Sequence, residues 1–283
     1  MSASNKIKPV LINLNIGDQL TATSCSHVVV ELIKFISHQR LQIPYTYQWL
    51  KQVVNKKKMS ENSGKKESLQ SEMHFRSVSS ALENLDLILK SLMKEINGSV
   101  IPEEVCIALG STPVTCREVY RLLLPTICHK FQCYSSHIAT DDQIKRSIFR
   151  ILMTSDLSQV IFTPMAPTNM YIFIRKKISP VCSGLTCDTF IKASGCRLPK
   201  DTKIVVIDFR AQKQDNLLCC NNFQIFGEVI SESLENLQLG DQPNFNEIES
   251  SATMTWYQSS YVMKGFKDCI VNGSSITNKW LES

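Results

Sequence analysis
No apolar run in this chain approaches the ~20 residues of a membrane span, so no transmembrane helix is expected. The ten glycines are scattered. Neither GxGxxG nor GxxxxGK[ST] can be written from them, which removes the phosphate-cradling loops of dinucleotide- and nucleotide-binding domains. A GxSxG nucleophile elbow is also missing. The segment Met1-Ser-Ala-Ser-Asn-Lys6 lacks the charged and apolar regions of a secretory signal, so an intracellular location is the expectation. There is no internal repeat and no βαβα rhythm.

Charge of one sign is lacking over a long stretch. The net charge is only +5, and no Lys or Arg occurs from Gln214 to Met263. Positive charge gathers instead at Lys56-Lys57-Lys58 and Lys65-Lys66. A nucleic-acid footprint needs a denser basic face, so protein partners fit this distribution better. Eleven cysteines are present, an odd count. Several sit inside apolar patterns, and Cys219-Cys220 are vicinal; they read as reduced, small hydrophobes of a cytosolic or nuclear protein.

Reactive constellations are weak. Cys128, His129, Cys133 and His137 form the one metal-like cluster, but the spacing matches no standard zinc site and no second ligand pair accompanies it. The plainer reading is a loop with apolar thiols. Nothing places a cysteine beside a histidine as nucleophile and base. Asp141-Asp142 suit helix capping and the helix dipole better than paired acids. Arg175-Lys176-Lys177 reads as a solvated strand edge. No enzyme, cofactor or metal is expected.

What is present is periodicity. Ile7 to Asn15 reads as a strand carrying Pro9-Val10-Leu11-Ile12, and a capped helix follows with Val29, Leu32, Ile33 and Ile36 on one face. A short amphipathic segment spans Tyr45 to Val54. Residues about 55–71 are polar and lysine- and serine-rich, the composition of a mobile linker. Phe75, Val78, Leu82, Leu85, Leu89, Leu92 and Ile96 then alternate three and four apart. This seam suits either a helix packed on a sheet or a coiled-coil homodimer. Val105 to Leu109 reads as a strand, and Pro113-Val114-Thr115 as the start of a short helix carrying Val119, Leu122 and Leu123. Strands are expected at Gln159–Thr163, Met170–Arg175, Lys203–Phe209, Gln224–Ile230 and Thr253–Val262. Residues about 231–251 carry five carboxylates and no cation, and read as an acidic surface loop. The order predicts one α+β domain over residues 1–283.

One helix carries a residue on the wrong side. After Thr140-Asp141-Asp142, the residues Ile144, Ile148, Ile151 and Leu152 define a buried stripe. At ~100° per residue, Phe149 points about a third of a turn away from it, with Met153 on the same flank between Lys145 and Arg146. Such an aromatic among cations suits a partner-binding anchor. It equally suits a second core on the far side of a sandwiched helix.

Three segments together resemble a known family. They are Val30 to Pro44 running into Tyr47 and Leu50-Lys51, Ile144 to Ser158, and Trp256 to Asp268. Leu109-Gly110 with Glu118 and Tyr120 also fits. The resemblance is clearest at Gln39-Arg40-x-Gln42-x-Pro44 and at Trp256-x-Gln258 leading to Lys264-Gly265-Phe266. In this order they are similar to the comet family, binding proteins of the spindle-checkpoint factor Mad-two. The resemblance implies a HORMA-like fold, a mostly antiparallel sheet backed by three helices. It implies a non-catalytic adaptor that binds the closed conformer of Mad-two and presents it to a hexameric AAA+ remodelling ATPase, silencing the mitotic checkpoint. A nuclear and cytoplasmic monomer with no nucleic-acid or membrane partner is the matching expectation.

Residue by residue, two contact positions of the family fall on Gln39 and Phe149. Arg40, Lys145, Arg146, Arg150 and Met153 are expected as their rim. Lys192 is a candidate for the ATPase-facing surface, although the family's neighbouring proline is absent here. Trp256, Gln258, Lys264, Gly265 and Phe266 are expected to fill the protein's own peptide-capturing groove as an edge strand. The segments 231–251 and 269–283 look like additions to the pattern. Two rival readings stay open: a HORMA-domain protein that captures a client peptide with a C-terminal belt, and a thiol- or zinc-dependent enzyme using Cys128, Cys133 and His137.

Overall fold
The computed structural model describes residues 8–16, 20–60, 68–127, 140–178, 189–194, 198–210 and 253–282. The architecture is α+β: an eight-stranded, mostly antiparallel sheet and six helices among the described residues, compatible with a HORMA-like fold. Its elements are β1 (Val10–Asn13), α1 (Ala22–Gln39), α2 (Tyr47–Ser60), α3 (Leu69–Ile96), β2 (Glu104–Gly110) and β3 (Cys116–Leu123). They continue with α4 (Asp141–Thr154), α5 (Leu157–Phe162), β4 (Asn169–Ile178), β5 (Phe190–Ala193), β6 (Lys203–Asp208), β7 (Thr253–Ser259), β8 (Met263–Lys264), β9 (Ile270–Val271), β10 (Ser274–Ser275) and α6 (Ile276–Glu282). The sheet order is β1-β6-β3-β2-β4-β7-β5, with β8 also on β4. Only the β1–β6 and β6–β3 pairs are parallel.

Period-two alternation divides β2 between two cores. Val105, Ile107 and Leu109 face the main core with the helices, while Cys106 and Ala108 join Val119, Tyr171 and Phe173 in a smaller cluster. The main core receives α1 through Val29, Leu32, Ile33 and Ile36, and α3 through its entire apolar seam from Phe75 to Ile96. That seam is buried within the chain, so it offers no free face for a coiled-coil homodimer. α1 and α3 pack against each other, tied where Asn97 Nδ2 donates to Ser26 Oγ at 3.1 Å.

Several expectations are corrected. The run after Pro113 is not a helix: Thr112 to Thr115 form a turn, and Cys116–Leu123 is strand β3, paired on both flanks. Glu118, Tyr120 and Leu122 are buried on one face, while Arg117 and Arg121 share the other with buried Val119, so no clean apolar–polar alternation marks the strand. Gln159–Thr163 is not a strand, for Leu157 and Val160 are buried one helical turn apart in α5. Of the linker expected at 55–71, residues up to Ser60 belong to α2, which continues through Lys56-Lys57-Lys58, and those from Ser68 cap and open α3, while 61–67 lie outside the described residues. Lys57 is itself buried, with its ammonium 5.9 Å from the Phe75 ring centre. Lys176 is no solvated edge: it is buried against Glu95 in the middle of the sheet. The strand expected at Gln224–Ile230, the loop at 231–251 and the cluster of Cys128, Cys133 and His137 lie outside the described residues.

The expected tail after Asp268 is a packed unit. Trp280 is buried, stacks edge-on to Phe75 at 5.3 Å and donates its indole N–H to Ser71 Oγ at 3.1 Å. Beneath it, Asp268 accepts hydrogen bonds from Thr277 at 2.6 Å and Tyr45 at 2.8 Å, and lies 3.4 Å from His74 Nε2. Burial holds the His74 imidazole below its ordinary 6.5, against the pull of Asp268.

One buried ion pair closes the helical layer onto the sheet. Arg40, 2 % exposed, donates Nε to Glu118 Oε2 at 2.8 Å and Nη2 to Oε1 at 2.6 Å. Its Nη1 donates to the carbonyls of Ile161 (2.8 Å) and Thr163 (2.7 Å), and the Tyr120 hydroxyl donates to Glu118 at 3.1 Å. Arg40→Met strands the Glu118 carboxylate in the core and is expected to cost about 3–5 kcal/mol in denaturant unfolding. The double change Arg40→Met/Glu118→Leu removes both charges and should recover a large part of that loss. For His74 the sign is set by its lowered pKa: the unfolded chain takes up a proton near 6.5 and the folded chain resists it. Stability therefore falls as pH drops below 6.5 toward the folded value. The loss of melting temperature between about pH 7.5 and about pH 5.5 should be smaller in His74→Asn than in the wild type.

Candidate partner interface
Two helices lie side by side in matching register. Thr140 caps α4, accepting from the backbone N–H of Gln143 at 3.4 Å, while Gln143 reaches back to the Thr140 N–H. Asp141 in its first turn meets His27 of α1, Nδ1 to Oδ2, at 2.5 Å. Further along, the rings of Phe149 and Phe35 meet edge to face with centroids 5.3 Å apart. His27 to Phe35 and Asp141 to Phe149 are equal steps, about 12 Å along each axis, so α1 and α4 run parallel. One turn beyond, Gln39 and Met153 arrive at a common level on these adjacent helices.

Burial on α4 is confined to Ile144, Ile148 and Leu152, a narrow i, i+4, i+8 stripe. Ile151, expected on that stripe, is half-buried. Phe149 falls between the two readings of its position: part of its ring packs on Phe35, and part faces outward. Met153 is 66 % exposed, Arg146 and Arg150 are exposed and Lys145 is half-buried. None of these three cations has a carboxylate partner among the described residues. Gln39 is half-buried, and its side chain makes no hydrogen bond among the described residues. An amide left at the surface between apolar rings supplies directional donors and an acceptor to a partner.

Arg40 must leave the rim where it was expected. Its guanidinium points inward and is bonded to Glu118 and to the carbonyls of Ile161 and Thr163. Lys192 is exposed on β5, the edge strand, opposite Tyr257. Beside it lies an open groove of about 630 Å³ lined by Pro113, Val114, Ile191, Ser260 and Val262. It is thus carried on a different element from Gln39 and Phe149.

The C-terminal segment is paired, with one correction. β7 is not an edge: Trp256 pairs with Arg175 of β4 on one side and Ala193 of β5 on the other, and Gln258 with Phe173 and Ile191. Lys264 pairs with Asn169. Gly265 donates its N–H to Thr168 O at 2.8 Å and Phe266 donates to Gln42 O at 3.0 Å. A Cβ on Gly265 would lie 2.7 Å from Thr168 O and 2.8 Å from Gln42 Oε1, so the approach requires glycine. Buried Gln42 completes the lock, donating Nε2 to Arg40 O and accepting from the Thr168 N–H, both at 2.7 Å. Sequence reasoning missed this role. The clue was a polar Gln42 inside the run that ends at Pro44, since a buried amide has to bridge backbone groups.

Among the described residues no group of three or more His, Cys, Asp and Glu is placed to hold a metal, and the cluster of Cys128, Cys133 and His137 lies outside them. Burial pushes the Cys25 thiol up to about 12, far from a reactive thiolate. Phe149→Ala removes a half-buried ring and is expected to cost about 1–2 kcal/mol of stability, leaving a folded protein by circular dichroism and thermal melting.

Comparison with known proteins supplies the context for this surface. Residues 2–175 match the family described as "p31comet: Mad1 and Cdc20-bound-Mad2 binding". That span includes α1 and α4. Among curated proteins, the chain is 31% identical over 99 residues to a MAD2L1-binding protein of Mus musculus. The aligned part is 35% of this chain and 36% of that relative, so it spans about a third of the relative's length.

Proposed function
The chain belongs to the p31comet family, and from that premise we propose that it is a non-catalytic adaptor for the closed conformer of Mad2. The observation that carries this reading is the placement of Gln39 one turn beyond the Phe35–Phe149 contact: one free amide and one half-buried aromatic on parallel helices, within the matched residues. Lys145, Arg146, Arg150 and Met153 surround them as the rim. In this reading the adaptor presents closed Mad2 to a hexameric AAA+ remodelling ATPase, and the mitotic checkpoint is silenced in nucleus and cytoplasm. ATP hydrolysis belongs to that ATPase, which agrees with a sequence that has no phosphate loop. Lys192, exposed beside the β5 groove, is the residue we assign to the ATPase-facing side.

The pairing of the C-terminal segment favours this adaptor over a client-capturing protein. A belt that opens must give up its ladder, and here β7 is held on both flanks while Gly265 and Phe266 are pinned to Thr168 and Gln42. This pairing supports the reading in which the chain's own residues fill the groove.

Calorimetry of the purified protein against closed, peptide-bound Mad2 tests the reading. Gln39→Ala/Phe149→Ala is expected to lose about 2–4 kcal/mol of binding, roughly 30- to 1,000-fold in Kd, while remaining folded. A wild-type protein that gives no binding heat at any accessible concentration, with no band shift in native gels, would remove the proposal.

A further inference from the structure
Phe35 stands between the two residues of the proposed contact. It lies one helical turn before Gln39 on α1, on the same i, i+4 strip. Its ring meets that of Phe149 on α4 with centroids 5.3 Å apart and planes inclined by 66°. Both rings are half-buried and pack against the main core. Leu32, Ile33 and Ile36 take the core side of α1, which leaves Phe35 on the flank that meets α4.

Polar ties between the two helices stop well before this level. Near their starts, His27 and Asp141 hold α1 to α4 at 2.5 Å. Beyond that pair no hydrogen bond or ion pair joins the two helices among the described residues. In the shared register Glu31 comes level with Lys145, yet Glu31 accepts from Lys34 of its own helix at 2.8 Å. The orientation of the Phe149 ring at the open end therefore rests on its contact with Phe35.

A long or aromatic side chain on a helix has two favoured χ1 wells, at about 180° and about −60°. Edge-to-face contact is attractive because the positive rim of one ring meets the negative face of the other, and it selects the well in which the rings meet. Without the Phe35 ring, a half-exposed Phe149 samples both wells and has to be ordered on association, which weakens binding.

We propose that Phe35 is a positioning residue of the partner interface. Its ring holds Phe149 in the orientation that enters closed Mad2, so part of the affinity carried by Phe149 is lost when Phe35 loses its ring. This rests on the adaptor reading above.

The test is a double-mutant cycle read by calorimetry against closed, peptide-bound Mad2, with melting curves for each variant. Phe35→Leu and the more adaptable Phe35→Met remove the ring, and Phe35→Tyr keeps it. With Phe149 present, the Leu and Met variants are expected to bind about 3- to 10-fold more weakly, and the Tyr variant to stay within about twofold of wild type. In a Phe149→Ala background the same changes are expected to move Kd by less than about twofold, because no ring is left to orient. A merely structural role would lower the melting temperature and weaken binding by the same factor in both backgrounds, which overturns the inference. If Phe149→Ala weakens binding while Phe35→Leu and Phe35→Met bind like wild type, the inference falls and the adaptor reading stands. A wild type that does not bind removes both.

Discussion
The Arg40–Glu118 pair is the constraint around which the described structure is organised. A carboxylate on β3 and a guanidinium at the end of α1 are both withdrawn from water, and each is satisfied completely. Burial of two charges gives little net stability, because the desolvation cost offsets most of the attraction. What it gives is position. A guanidinium that must find Glu118 and two carbonyls at once admits one placement of α1 over the sheet and one placement of α5 beside it. The backbone carbonyl of Arg40 in turn receives the Gln42 amide, which holds Thr168, and through it the C-terminal segment.

From this frame follows the character of the surface. Gln39 and Phe149 are half-exposed groups on two helices whose register is set at one end by His27–Asp141 and at the other by Phe35–Phe149. Neither helix is free to slide, so the pair is preorganised for a partner. The two sequence runs that carry the family resemblance most clearly, Gln39 to Pro44 and Lys264 to Phe266, meet in space. One face of that junction is structural, through Arg40, Gln42 and Gly265; the other is open, through Gln39 and Leu41. The family match over residues 2–175 covers the first of these runs, and the structure joins the second to it.

Some elements were legible because burial follows a simple period. α3 shows its seam at three and four, and every member from Phe75 to Ile96 is buried. The α4 stripe of Ile144, Ile148 and Leu152 and the cap at Thr140 were equally plain. β3 was misread as a helix because Val119, Leu122 and Leu123 fall three and four apart while its buried face carries the charged Glu118. α5 was misread as a strand because six residues hold too few turns for a helical period to emerge. Lys57, Lys176 and Arg40 were assigned to solvent by their charge, and each is buried against an aromatic ring or a carboxylate distant in sequence.

The sequence by itself determined the α+β class, most helix and strand positions, and the absence of phosphate-loop and elbow motifs. Those properties are local: each depends on a side chain and its neighbours within one or two turns. Only the tertiary structure decided that Arg40 is a clamp and not a rim residue, that β7 is enclosed by β5, and that residues after Asp268 pack under Trp280. These facts depend on partners far along the chain, such as Glu118 for Arg40 and Ser71 for Trp280, and no local pattern encodes a pairing whose energy arises only when both groups leave water together.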